Sequence, residues 1–226
     1  MLLLLVLSAA AAVAAPQIVS FPAEDGGRIC AEMYAAESGR GVVLAHGGRF
    51  HKESWRPQAQ VLSSRGFQVL AIDFRGSGCS IPPDKRGPGQ ADFDHAPFDK
   101  DVLAAVRYLK QHGAKSVSVV GGSFGGSAAG DASIRSAAGE IDRIVYLGAA
   151  PNLPAQNLKS RSLFIVARDD ANTAGPRLPG IRAQYEKAPQ PKKLIVLEGS
   201  AHAQFLFQTN QSERVMREIL RFLTAP

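Results

Sequence analysis

Ser123 stands in the run Gly121-Gly122-Ser123-Phe124-Gly125, a G-x-S-x-G string. A serine hydroxyl is a poor nucleophile at neutral pH and needs a general base. The chain has five histidines, His46, His51, His95, His112 and His202, and only His202 follows the serine. The base in turn needs an orienting carboxylate. Arg168-Asp169-Asp170 supplies two, and either could reach the imidazole. Nucleophile, base and carboxylate together are the parts of an acyl-transfer site. His46-Gly47-Gly48 adds a fourth. Glycine lets the backbone approach a ligand closely, so the N–H of Gly48, with that of Phe124, could hold a developing oxyanion; Arg49 is the alternative donor. The His46 side chain reads as a structural brace rather than a second base.

These residues need elements that bring them to one place. Short strand patterns fall at 18–21 and 28–35, with Glu24-Asp25-Gly26-Gly27 as the hairpin turn between them. Buried-strand patterns follow at 41–45, 67–74, 116–120, 143–148, 162–167 and 193–197. Helical spacing occupies 53–65, 98–111, 124–137, 177–187 and 212–223, with Gly66 and Gly113 as stops. Strands alternating with helices after an opening hairpin predict a mostly parallel sheet covered on both faces. Ligands then belong at the carboxyl ends of the strands, where all four chemical features fall.

Composition narrows the class. The 226 residues are 45% apolar and 20% charged, which excludes a disordered chain, and no repeat of solenoid or propeller length recurs. Residues 2–15 are apolar apart from Ser8, too short to span a bilayer and fitting the core of a secretory signal peptide. The expected cut falls after Ala14, leaving residues 15–226 as one domain. Export predicts a secreted or periplasmic protein with no stable membrane insertion after cleavage. The n-region is atypical, with no Lys or Arg. The formal charge is +6, carried by scattered residues without a basic block and interleaved aromatics, so nucleic-acid binding is not expected. Cys30 and Cys79 cannot make a metal site alone, but in an oxidising compartment they could pair.

Taken together, His46-Gly47-Gly48, Asp73-Phe74-Arg75-Gly76-Ser77-Gly78-Cys79-Ser80, the Ser123 turn, the Asp doublet and His202 resemble the α/β-hydrolase superfamily. The closest likeness is to its small lidless group of dienelactone-hydrolase-like proteins and esterases. The resemblance implies a mostly parallel sheet of about eight strands. No cap domain is expected, since only a short loop separates Ala149 from Ser162. It implies a triad of Ser123, Asp170 and His202, with Ala167 standing where the family's G-x-x-D has glycine; that departure keeps Asp169 open. Dienelactone hydrolases proper use cysteine, so the serine here points away from their substrate. The family's sheet order sets the second strand antiparallel to the fourth, which implies that Cys30 and Cys79 lie near each other.

The expected activity is hydrolysis of a small ester without metal or organic cofactor. A peptidase or thioesterase on the same triad and a non-catalytic binding protein on this fold are the alternatives. Arg49, His51, Lys52, Arg75 and Arg168 all follow strand ends. They are expected to gather at the mouth, with Arg49 and Arg75 as substrate-binding candidates for a small ester bearing a carboxylate.

Overall fold

A computed structural model describes residues 15–84 and 96–226. The expected signal peptide at 1–14 lies outside the described residues, as do His95 and most of the Gly/Pro-rich loop. No helix among the described residues is long and apolar enough to cross a membrane.

The hairpin forms first in the chain. β1 (Gln17–Pro22) turns at residues 23–27 into β2 (Arg28–Tyr34). β3 (Arg40–Ala45) leads through a 3-10 turn (Lys52–Trp55) to α1 (Arg56–Ser64) and β4 (Gln68–Ile72). α2 (Phe98–Gln111), β5 (Ser116–Gly122), α3 (Phe124–Arg135), β6 (Arg143–Leu147) and β7 (Arg161–Ala167) continue the alternation. A two-residue ribbon, β8 (Ala171–Asn172) with β9 (Gly175–Pro176), precedes α4 (Leu178–Lys187), β10 (Lys192–Leu197) and α5 (Ser212–Thr224).

The main sheet has the order β1-β2-β4-β3-β5-β6-β7-β10. The β1–β2 and β2–β4 pairs are antiparallel, and the other five pairs are parallel. The connection from β6 to β7 carries only a 3-10 turn at Ala155–Asn157, so no cap covers the site from there.

Alternation along the strands divides the core. Val43 and Ala45 face one layer with Val102, Val106 and Leu109 of α2 and the small α3 residues Ala128, Ala129 and Ala132. Val42 and Leu44 face the other, against Ala59 and Leu62 of α1 and Val215, Ile219 and Leu223 of α5. Side chains on successive strand residues point to opposite faces, so one strand feeds both cores. The parallel register then aligns the carboxyl ends: Ala45 pairs with Gly121, Gly122 with Leu147, and Ala167 with Leu197.

Braces hold those ends in place. Asp73, fully buried after β4, accepts from the Lys52 backbone N–H at 2.8 Å and from Lys52 Nζ at 2.7 Å. Beside it, the Phe74 N–H donates to His46 Nε2 at 3.2 Å, so the other ring nitrogen carries the proton and donates to the Gly47 carbonyl at 2.8 Å. His46 is a neutral brace at the end of β3, and burial pushes its pKa down to about 4. Cys30 on β2 is disulfide-bonded to Cys79, with Cα atoms 5.6 Å apart. The Cys30 N–H also donates to Ser80 Oγ, tying the loop after β4 back onto β2.

Two stability measurements follow. Closing a loop of 49 residues constrains the unfolded chain, so a Cys30→Ser/Cys79→Ser variant should lose about 4 kcal/mol in urea unfolding. A loss under about 1 kcal/mol would mean the bridge constrains little. The His46 pKa is lower folded than unfolded, so the unfolded state takes up the extra proton. Its penalty is absent above about pH 6.5 and grows as pH falls toward about 4, reaching on the order of 3 kcal/mol. Unfolding curves across that window should be steeper in pH for wild type than for His46→Gln; parallel curves would contradict a buried neutral imidazole.

Candidate active site

The strand β5 ends at Gly122, and α3 begins at Phe124. Ser123 alone makes the turn, with φ 52° and ψ −127°. A non-glycine residue in that region is strained and persists only when its surroundings dictate it. The glycines provide those surroundings. A Cβ on Gly121 would lie 2.6 Å from the Gly125 carbonyl oxygen, and one on Gly125 would lie 2.4 Å from the His46 carbonyl oxygen. Only bare backbone lets α3 leave so close to the end of β3, and that closeness lifts Ser123 above the sheet edge.

His202 lies in the loop after β10, and its Nε2 is 2.8 Å from Ser123 Oγ. On the other side, Nδ1 is 2.7 Å from Asp170 Oδ2. Asp170 is fully buried and Asp169 is exposed, so the structure brings Asp170, not Asp169, to the imidazole. With Asp170 ionised, Nδ1 carries the proton and donates to it, leaving Nε2 to accept from the serine. The three groups form one continuous hydrogen-bonded line.

Gly48 packs toward the Phe124 ring; a Cβ there would be 3.8 Å from Phe124 Cδ1. The neighbouring Gly47 N–H is already committed, donating to Gln204 Oε1 at 2.7 Å. Of the two glycine N–H groups, that of Gly47 is thus engaged within the protein.

The cations are sorted differently from the expectation. Arg75 is only 2% exposed. Its Nε and Nη2 donate to Asp101 Oδ1 at 2.9 and 2.6 Å, and its Nη1 donates to Asp25 at 2.7 Å. It clamps α2 to the hairpin turn and is not a substrate-binding residue. Lys52 is buried against Asp73, and the exposed Arg168 pairs with Glu198 at 2.7 Å. Arg49 does line a cleft beside Ser123. His51 is exposed beside His46 and lines neither cleft at Ser123, so of the five expected residues only Arg49 does, joined by one the sequence reading did not select, Arg177. Its Nε lies 3.4 Å from the second Asp170 oxygen.

Two more residues went unselected. Gly148, just past β6, has φ 60°; a Cβ there would fall 2.9 Å from His202 Nδ1 and 3.0 Å from Asp170 Oδ2. The imidazole–carboxylate pair occupies the space this glycine leaves. Gln204 bridges the Gly47 N–H to Ser54 Oγ and thereby fixes the His202 loop to the end of β3. A glycine ending a buried strand was the available signal for Gly148; nothing local marks Gln204.

Two clusters gather three potential metal-ligand atoms among the described residues: Cys30, Asp73 and Cys79, and His46, His51 and Asp73. The cysteines are bonded to each other, and both His46 nitrogens are engaged in hydrogen bonds. Neither cluster offers a ready ligand set.

Comparison with known proteins agrees with this architecture. A non-heme haloperoxidase of Rhodococcus erythropolis is 35% identical over 119 residues, 53% of this chain and 40% of the relative. A serine hydrolase of Mus musculus is 39% identical over 75 residues, 33% of this chain and 24% of its own. The chain thus spans two-fifths or less of the length of these two relatives. The solved structure of a dienelactone hydrolase from Anabaena variabilis superimposes with a TM-score of 0.70 at 21% identity, covering 91% of this chain and 96% of that one. The sequence model of the alpha/beta hydrolase family matches residues 42–207, from β3 to the turn just past His202, and the chain belongs to that family.

Proposed function

We propose that the protein is an exported serine hydrolase that cleaves small esters through an acyl-enzyme on Ser123. The observation that carries this reading is the line from Ser123 Oγ through His202 to the buried Asp170 carboxylate, at 2.8 and 2.7 Å. Ser123 Oγ attacks the ester carbonyl carbon while His202 Nε2 takes its proton. Asp170 holds the imidazole tautomer and stabilises the imidazolium. The carbonyl oxygen, now negative, sits against the N–H groups of Phe124 and Gly48. Collapse expels the alcohol, which takes the proton from Nε2. Water then attacks the acyl-enzyme with His202 again as base, releasing the acid and restoring the serine.

Export is supported by the apolar leader and by the Cys30–Cys79 bridge, which suits an oxidising compartment. Ester turnover is expected to exceed that of a matched thioester or anilide.

Ser123→Ala and His202→Ala should each lower kcat by at least about 10³-fold with the fold retained. Asp170→Asn should approach about 10⁴-fold, while Asp169→Asn stays near wild type. Near-normal hydrolysis by Ser123→Ala, or failure of a fluorophosphonate to label Ser123, would sink the mechanism. Gly148 lines the cleft at Ser123, and a methyl there would crowd the His202–Asp170 pair. For Gly148→Ala a fall in kcat of about 10²-fold is expected; unchanged kcat would show that the pair tolerates displacement.

A further inference from the structure

Two clefts meet at Ser123. One, about 470 Å³, runs between the loop after β6 and the first turns of α4, with Ala149, Pro151, Gly180 and Ile181 on its walls. The other, about 490 Å³, runs past Gly48, Arg49, Phe50, His202 and Phe205. Asn172 and Arg177 border both. His202 lines only the second, and Phe124 only the first.

Chemistry then assigns the clefts. The tetrahedral carbon carries Ser123 Oγ, the oxyanion, the acyl chain and the alcohol oxygen. The alcohol oxygen must take its proton from His202 Nε2, so the alcohol lies on the side of His202. The oxyanion points between Gly48 and Phe124. The remaining direction, away from His202, is the first cleft.

The lining of each cleft gives its preference. In the first, the polar side chains on the deeper wall, Ser127 and Gln184, are turned to the backbone. Ser127 Oγ donates to the Ala150 carbonyl at 2.7 Å, and Gln184 donates to the Pro151 carbonyl and accepts from the Ala155 N–H. Away from Asn172 and Arg177, at the border with the second cleft, the walls are small and mostly apolar: Ala149, Ala150, Pro151, Ala174, Gly180 and Ile181. In the second, the Phe50 and Phe205 rings lie 5.0 Å apart, and Phe205 is 37% exposed. An exposed aromatic beside a nucleophile offers a face to a planar apolar group.

Resting on the esterase reading above, we infer that the β6–α4 cleft takes an apolar acyl chain and the Phe50–Phe205 cleft an aromatic alcohol.

The test uses matched acetyl and hexanoyl esters of ethanol and phenol. Each variant is compared with wild type as a ratio, so intrinsic ester reactivity cancels. Gly180 is a good probe because a Cβ there meets nothing within 4 Å, and leucine suits a helix better than glycine. Gly180→Leu should lower kcat/KM for hexanoyl relative to acetyl esters about tenfold or more, equally with both alcohols. It should also slow hydrolysis of the hexanoyl-enzyme, from which the alcohol has gone. Phe205→Ala should lower the preference for phenyl over ethyl esters about tenfold. If Gly180→Leu changes alcohol preference, if Phe205→Ala changes chain-length preference, or if neither ratio moves, the assignment is overturned. A wild-type protein that turns over no ester and leaves Ser123 unlabelled would instead overturn the underlying esterase reading.

Discussion

The turn from β5 into α3 admits almost no atoms beyond the backbone. α3 starts so close to the end of β3 that a methyl on Gly125 would fall inside the contact distance of two carbonyl oxygens, those of Ala45 and His46. Gly126 is also confined, 2.9 Å from the Gly121 carbonyl oxygen at its Cβ position. β3 lies beside β5 in register at this turn, and the small α3 residues pack against the core. Ser123 takes its strained φ because both conditions leave it no alternative. Its hydroxyl is thereby fixed relative to the end of β3 and to the loop after β10.

Around that turn the molecule invests its buried polar groups in holding strand ends rather than in binding. Lys52 with Asp73, Arg75 with Asp101 and Asp25, and His46 between Gly47 and Phe74 fasten the segments after β3 and β4. Apart from the half-buried Asp25, each is buried with its hydrogen bonds made, since an unpaired charge there would carry a large desolvation cost. The consequence for the site is that the segments flanking Ser123 are tied to their neighbours by buried hydrogen bonds. Asp170 is the exception among these acids. One oxygen serves His202, and the other faces Arg177 at 3.4 Å, at the border of the two clefts.

Much of this was legible in the sequence because it is local. Period-two and period-3.6 patterns located the main strands and helices, and α2 fell at the expected Phe98–Gln111. The serine string and its strand-to-helix context located the turn. The residues alone left both acids open; the resemblance to the family's G-x-x-D, with Ala167 in the glycine's place, favoured Asp170, which lies buried while Asp169 stays exposed. The failures are non-local. Arg75 follows a strand end like a mouth residue, but its side chain turns inward to carboxylates 26 and 50 residues away. Arg177 and Gln204 gain meaning only from what the fold sets opposite them. The β8–β9 ribbon is two residues on each side, too short for any periodicity to register.

The central claim is covalent: the acyl group passes through Ser123. Rapid acid quench during turnover of an activated acetyl ester, followed by mass analysis of the intact chain and of its peptides, tests it directly. The account predicts one acetyl group per chain, located on Ser123 and absent from the Ser123→Ala variant. Steady consumption of the activated ester by the wild-type protein with no adduct, or with the adduct on another residue, would contradict it.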